Sequence, residues 1–119
     1  MKQLKGIHHV GIAVKEPHKM KSMLMSKGWM IHGEGVCKKY ATYCIFLTKG
    51  KDLIELCVGL NETSPITKYL EKHPEGLHHI ALNKKFKDGD DGALKGMKIR
   101  FDNLRDTANL LIEEVYFEK

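Results

Sequence analysis

Over residues 7–14 apolar and polar or small positions alternate, with Val10, Ile12 and Val14 in one phase and His9, Gly11 and Ala13 in the other. That is the pattern of a strand, whose successive side chains point to opposite faces. Glu16-Pro17 then opens a helix, since Pro suits a first turn. Met20, Met23 and Leu24 follow at helical spacing as core positions, and Gly28 marks the stop. Trp29 to Val36, Tyr40 to Thr48 and Leu53 to Val58 read as three more strands, the last two joined by a turn over Thr48-Lys49-Gly50-Lys51-Asp52. The first half is therefore predicted as β-α-β-β-β. Ser64-Pro65 starts a second helix, with Ser as N-cap, Ile66, Tyr69 and Leu70 as its apolar face, and His73-Pro74 as its end. Leu77 to Leu82 is predicted as a strand, the Asp/Gly run to Gly92 as a turn, and Ala93 to Met97 as a short helix. Lys98 to Phe101 and Leu110 to Phe117 are the remaining predicted strands.

The chain repeats itself. Gly6-Ile7-His8-His9-Val10 is echoed by Gly76-Leu77-His78-His79-Ile80, and Leu53-Ile54-Glu55 by Leu111-Ile112-Glu113. Each half opens on a His-His strand and closes on a Leu-Ile-Glu strand, a self-similarity that takes precedence over local readings. In both copies the second His shares a face with small residues, Gly11 and Ala13 in one and Ala81 in the other, which leaves room for a ligand. His8 and His78 fall on the apolar side and read as packed or hydrogen-bonded histidines. His18, His32 and His73 read as surface residues. Glu55 leaves the phase of Ile54, Leu56 and Val58. Glu113 is preferred over Glu114 on motif register, with Glu114 as its solvated neighbour. The interval from His79 to Glu113 is shorter than that from His9 to Glu55, so the second half has lost something the first retains.

With 119 residues the chain is long enough for one core but not two. No apolar run approaches the ~20 residues of a membrane span, and Met1-Lys2-Gln3-Leu4-Lys5 lacks the apolar stretch of a secretory signal. A cytoplasmic location is the expectation. The three cysteines have no CxxC spacing, and Cys44 and Cys57 lie in apolar strand patterns, so buried free thiols are expected. The net charge of +5 is spread among acids without aromatic interleaving, which argues against nucleic acid. Lysine clusters at Lys38-Lys39, Lys49 and Lys51, and Lys84-Lys85-Lys87 suit solvent or an anionic ligand. The Asp/Gly run at 88–92 lacks the spacing and final Glu of a calcium loop.

Ser64-Pro65-Ile66, Tyr69-Leu70-Glu71-Lys72 and Glu75-Gly76-Leu77-His78-His79-Ile80-Ala81, together with the His-His and Leu-Ile-Glu repeats, resemble the vicinal oxygen chelate superfamily. Within it the likeness is to the methylmalonyl-CoA epimerases. The resemblance implies an α+β fold in which paired βαβββ modules form a curved mixed sheet around a metal site, here with the second module shortened. One domain would span 1–119, with module one at about 5–60, a linker helix at about 64–73 and module two at about 76–119. Position by position, the resemblance implies His9, Glu55, His79 and Glu113 as metal ligands, with Glu113 also acting as a catalytic acid/base. Two imidazoles and two carboxylates suit one divalent Co, Ni, Zn or Mn ion. The implied activity is a metal-dependent epimerase or isomerase that abstracts a proton next to a carbonyl, on a small molecule such as an acyl-CoA. A glyoxalase I-like lyase shares the same donor set, and a non-catalytic binding module of the same superfamily is the third reading. A homodimer is expected by the same analogy.

One departure stands out. The epimerases carry a further catalytic Glu near the start of the third strand. Counted back from Glu55 without gaps, that position falls at about Lys39, between Lys38 and Tyr40, and no carboxylate lies between Val36 and Lys51. A lysine there acts as a base only with a strongly lowered pKa.

Overall fold

The computed structural model describes residues 6–101 and 111–118. In chain order the elements are β1 (Ile7–Ala13), α1 (His18–Ser26), β2 (Met30–Cys37), β3 (Thr42–Lys49), β4 (Asp52–Gly59), α2 (Pro65–Lys72), β5 (Gly76–Asn83), β6 (Asp90–Asp91), β7 (Met97–Phe101) and β8 (Leu111–Phe117). A 3-10 turn occupies Lys38–Tyr40. Leu110, where the sequence places the start of the last strand, lies outside the described residues. No helix among the described residues is long and apolar enough to cross a membrane.

The strands form one curved sheet in the order β2-β3-β4-β1-β5-β8-β7-β6. Within each module the first and last strands are parallel neighbours, β1 with β4 and β5 with β8, while β1 and β5 meet antiparallel at the centre. The result is a mixed sheet with an approximate twofold relation between its halves. The second module is the shorter one: β5 reaches β6 through residues 84–89 without a helix, and β6 has only two residues.

Local chemistry explains most boundaries. Ser64 caps α2 by accepting a hydrogen bond from Ile66 N at 3.2 Å, and Pro65 occupies the first turn. Gly28 ends α1 with φ +97°, a conformation that costs glycine little. Of the methionine stripe on α1, Leu24 is buried but Met23 is 40% exposed, so only part of that face is core. The helix expected at Ala93 to Met97 is instead a turn closed by Met97 N donating to Leu94 O at 3.0 Å. Gly96 there adopts φ +75°, which a helix does not accommodate. Asp90 and Asp91, expected in a turn, pair with Ile99 and Lys98.

Both faces of the sheet centre are covered. On β3, Cys44 and Phe46 enter a cluster with Cys37, Ala81, Met97, Ile99 and Val115 on the inner face. Ile45 and Leu47 join Val14, Leu24 and Leu56 on the outer face. A strand covered on both sides reads as a continuous apolar run. The curl brings the two ends of the sheet together. A Cβ built on Gly35 would stand 2.1 Å from Ala93 O, so the close approach of β2 to the segment after β6 requires glycine. Cys37 Sγ donates to Asp91 O at 3.3 Å across the same seam.

Candidate metal centre

His9, Glu55, His79 and Glu113 come from β1, β4, β5 and β8 and meet on the inner face at the sheet centre. Strand register accounts for the meeting. Gly11 on β1 is flanked by Glu55 on one side and His79 on the other. Ala81 on β5 is flanked by His9 and Glu113. Each small residue thus sits between the donors of neighbouring strands and leaves them space to converge. The space at Gly11 is used in full, because a Cβ there would lie 2.0 Å from Cε1 and 2.3 Å from Nε2 of His79.

The donor atoms are close and buried. His9 Nε2 stands 3.0 Å from Glu55 Oε1 and 3.0 Å from Glu113 Oε1. His79 Nε2 stands 3.0 Å and 3.4 Å from the same two atoms, and the two Nε2 atoms are 3.2 Å apart. All four residues are at most 5% exposed. Despite these approaches, Oε1 of Glu55 and Oε1 of Glu113 have no hydrogen-bond partner. The nitrogens and oxygens face a shared point without the alignment that an N–H···O bond needs. Donors about 2.1 Å from a common ion and at right angles to one another stand about 3.0 Å apart. Unsatisfied buried carboxylate oxygens are costly in a dry interior, and a divalent cation relieves that cost. The donor set and its geometry fit such an ion.

Electrostatics point the same way. Burial alone would lower the His9 pKa, but Glu55 and Glu113 outweigh it and raise it. Against the same burial penalty they hold His79 up to about 10. Burial would raise Glu55, yet His9 and His79 keep it well below the usual carboxylate range. Glu113 is lowered by the same two rings against burial. Two buried carboxylates thus draw positive charge into the cluster, which protons or a metal ion can supply.

His8 and His78 do more than pack. His8 Nδ1 is 2.7 Å from His9 Nδ1, and His78 Nδ1 is 2.8 Å from His79 Nδ1. Burial, helped by the adjacent ring, pulls each of the outer two histidines down to about 4, so both are neutral. His18, His32 and His73 are exposed, as expected.

A cavity of about 410 Å³ opens beside the cluster, lined mainly by apolar side chains that include Ile66, Met97, Ile99, Phe101 and Leu111. Tyr40, Thr42, Cys37, Cys44 and Cys57 add polar atoms to its wall. All three thiols are buried. Burial pushes Cys37 up to about 11; for Cys44, the pull of a hydrogen bond with Cys57 is overcome by burial, leaving it at about 12. Neutral thiols of this kind are poor nucleophiles.

Lys39 is not among the cavity-lining residues. Its side chain is 59% exposed and its Nζ lies 2.8 Å from Asp90 Oδ1, a hydrogen bond that raises its pKa. It therefore stays protonated and serves the seam between β2 and β6 rather than acting as a base. Tyr40 faces the cavity and donates its hydroxyl to Asp90 Oδ2 at 3.1 Å. Glu114 is 6% exposed rather than solvated, and Arg100 Nε donates to it at 2.5 Å while Lys84 Nζ lies 3.4 Å away. Sequence reasoning also missed the ring contact at Gly11 and the identity of the partners of His8 and His78, whose hydrogen bonding it does foresee. The doubled His-His motif was the available signal for the latter.

No family model and no curated protein matches the sequence. Solved structures do. Methylmalonyl-CoA epimerase from Mycobacterium tuberculosis aligns over 100% of this chain and 94% of its own, with a TM-score of 0.87 and 21% identity. A variant of the Streptomyces coelicolor methylmalonyl-CoA epimerase in complex with 2-nitronate-propionyl-CoA aligns over 98% of this chain and 100% of its own, with a TM-score of 0.86 and 21% identity. A hypothetical protein from Bacillus halodurans C-125 covers 99% of this chain and 97% of its own, with a TM-score of 0.83 and 26% identity. The chain has the fold that these methylmalonyl-CoA epimerases take.

Proposed function

We propose that this chain is a divalent-cation-dependent isomerase that removes a proton from carbon next to a carbonyl, with His9, Glu55, His79 and Glu113 as ligands. One observation carries the reading: four buried donors converge to 3.0–3.4 Å between imidazole nitrogens and carboxylate oxygens, two of those oxygens unsatisfied, at the wall of an apolar cavity. A Co, Ni, Zn or Mn ion bound there supplies Lewis acidity, which stabilises negative charge on a carbonyl oxygen as the neighbouring proton leaves. Glu113 is the proposed proton acceptor. The apolar cavity walls exclude water from the carbanionic substrate and strengthen every charge interaction at the centre. An acyl-CoA is the favoured substrate class, supported by the likeness to epimerases whose solved complexes hold 2-nitronate-propionyl-CoA and methylmalonyl-CoA. A homodimer in the cytoplasm is part of the same proposal, and light scattering tests the assembly.

A specific observation favours a second reading beside it. Epimerisation needs a proton carrier on each side of the reacting carbon, yet the carboxylates lining the cavity among the described residues are Glu55 and Glu113, both in the donor cluster. On the wall near the third strand stands Tyr40, whose pKa is raised by burial and by Asp90, so it is a proton donor rather than a base. A one-base proton shift along one face, as a glyoxalase-type lyase requires, fits that inventory directly. The test is solvent deuterium uptake by methylmalonyl-CoA beside turnover of a hemithioacetal, using protein loaded with each of the four metals. Uptake into the thioester supports the isomerase; hemithioacetal turnover alone supports the lyase. Binding of either compound without exchange or turnover leaves a small-molecule-binding module and refutes both enzymes.

A further inference from the structure

We propose that His8 and His78 are positioning residues for the cation, each accepting a hydrogen bond at Nδ1 from the Nδ1–H of the histidine that follows it. This inference rests on the cation reading above and deepens it. The arrangement occurs twice, once per module. The Nδ1–Nδ1 separations are 2.7 and 2.8 Å, the ring centroids are 5.0 and 5.1 Å apart, and the ring planes cross at 79° and 89°. Two strands distant in sequence have therefore built the same pair of perpendicular imidazoles.

A hydrogen bond between two ring nitrogens needs a proton on one and a lone pair on the other. His9 and His79 turn Nε2 to the donor cluster, where a cation requires a lone pair. A neutral imidazole carries one proton, so that proton must then reside on Nδ1. His8 and His78 must therefore present unprotonated Nδ1 atoms and keep their own protons on Nε2. The opposite assignment would aim two N–H groups into the cluster and block it. Ring nitrogens of metal ligands are commonly fixed by a partner of this sort, most often a carboxylate or a backbone carbonyl. Here a second neutral imidazole takes that place and adds no negative charge to a site that already holds two carboxylates.

The outer rings are themselves held. His8 packs against Phe117 of β8 at 5.5 Å between centroids, and His78 meets Tyr69 of α2 edge-on at 4.9 Å. Tyr69 is fixed in turn by its hydroxyl, which donates to Leu77 O at 3.2 Å.

The test has two readouts. In cation-free wild-type protein labelled with ¹⁵N-histidine, NMR should show a coupling across the hydrogen bond between Nδ1 of His8 and His9, and another between Nδ1 of His78 and His79. The second readout is Zn(II) affinity by chelator competition in wild type, His8→Phe, His78→Phe, His8→Asn and His78→Asn, each checked for folding by its NMR spectrum. Phe fills the ring space without an acceptor, and Asn restores an acceptor oxygen near the Nδ1 position. The Phe variants should lose affinity about 10–100-fold, the range for loss of such a partner, and the Asn variants should recover part of it. Absent couplings, or Phe variants that bind Zn(II) as wild type does, overturn the inference. A wild type that takes up no Zn(II) instead refutes the cation reading on which it rests, and the two failures are thus told apart.

Discussion

Gly11→Ala is a one-carbon test of how the centre is built. Gly11 lies within β1, next to a register shift in the pairing with β5, and its φ is not positive. Alanine there would by itself be neutral or mildly stabilising, because it reduces the freedom of the unfolded chain by about 0.4–1 kcal/mol. The cost comes from one neighbour. The added Cβ would stand 2.0, 2.3 and 2.5 Å from three atoms of the His79 ring, and every one of those is well inside contact distance. Ordinary carbon contacts lie near 3.5–4.0 Å, so the ring must retreat by well over an ångström or the strands must part. Overpacking of this kind costs about 1–3 kcal/mol, which for a chain of this size lowers Tm by roughly 3–15 °C. The ring's retreat also takes His79 Nε2 out of the cluster, so Zn(II) affinity measured by calorimetry should fall by at least an order of magnitude. A double-mutant cycle isolates the cause. In a His79→Ala background the ring is gone, and Gly11→Ala should cost almost nothing. An equal penalty in both backgrounds, or undiminished Zn(II) affinity in Gly11→Ala, would refute the claim that the glycine exists to seat the ring.

Three further outcomes are expected. Zn(II) at about a hundred times its Kd should stabilise the protein by about 2.7 kcal/mol, a Tm rise of roughly 10 °C that His9→Ala abolishes in differential scanning fluorimetry. Asp90→Asn should loosen the seam between β2 and β6, seen as faster amide exchange at Asp91 and Ile99, while Zn(II) affinity stays unchanged; because the Lys39 and Tyr40 hydrogen bonds lower the Asp90 pKa against burial, the seam is at full strength above the ordinary value of 3.8 and weakens as pH falls through the lower folded value. Cys37, with its thiol pushed up by burial to about 11, should resist an aromatic disulfide reagent at pH 8 in folded protein and react at once in denaturant, whereas rapid labelling of the native state would contradict its burial.

The repeat makes the four residues of the centre legible in the sequence. His9, His79 and Glu55 stand out because strand alternation assigns each a face, and Glu113 because the duplication makes it the counterpart of Glu55. The strands were readable for the same reason, since period-two patterns depend only on neighbours along the chain. What stayed hidden depends on contacts between segments far apart in sequence. Glu114 looked solvated because nothing near it in sequence announces Arg100 or Lys84. Ala93 to Met97 is predicted as a short helix, but the segment is held as a turn where the curled sheet presses it against Gly33 and Gly35. Lys39 aligned with a catalytic position only by counting residues. In space the 3-10 turn at Lys38–Tyr40 carries it to the seam with Asp90.

The seam also explains how a shortened second module can coexist with an intact centre. Glu55 and Glu113 ride on strands that pair in parallel with β1 and β5, and those four strands occupy the middle of the sheet. The shortening falls between β5 and β6, at the sheet's far end, where it removes wall but no donor. The segment after β6 replaces part of that wall: Gly92 and Ala93 line the cavity, and Asp90 fastens the segment to Lys39 and Tyr40. The same closure puts Tyr40, rather than a carboxylate, on this part of the cavity wall. On the proposed isomerase reading, a cavity wall that trades a second base for this closure would support proton removal on one face without efficient inversion. Deuterium exchange that outpaces epimerisation is the kinetic signature of that trade, and equal rates would show that Tyr40 or another group still serves the second face.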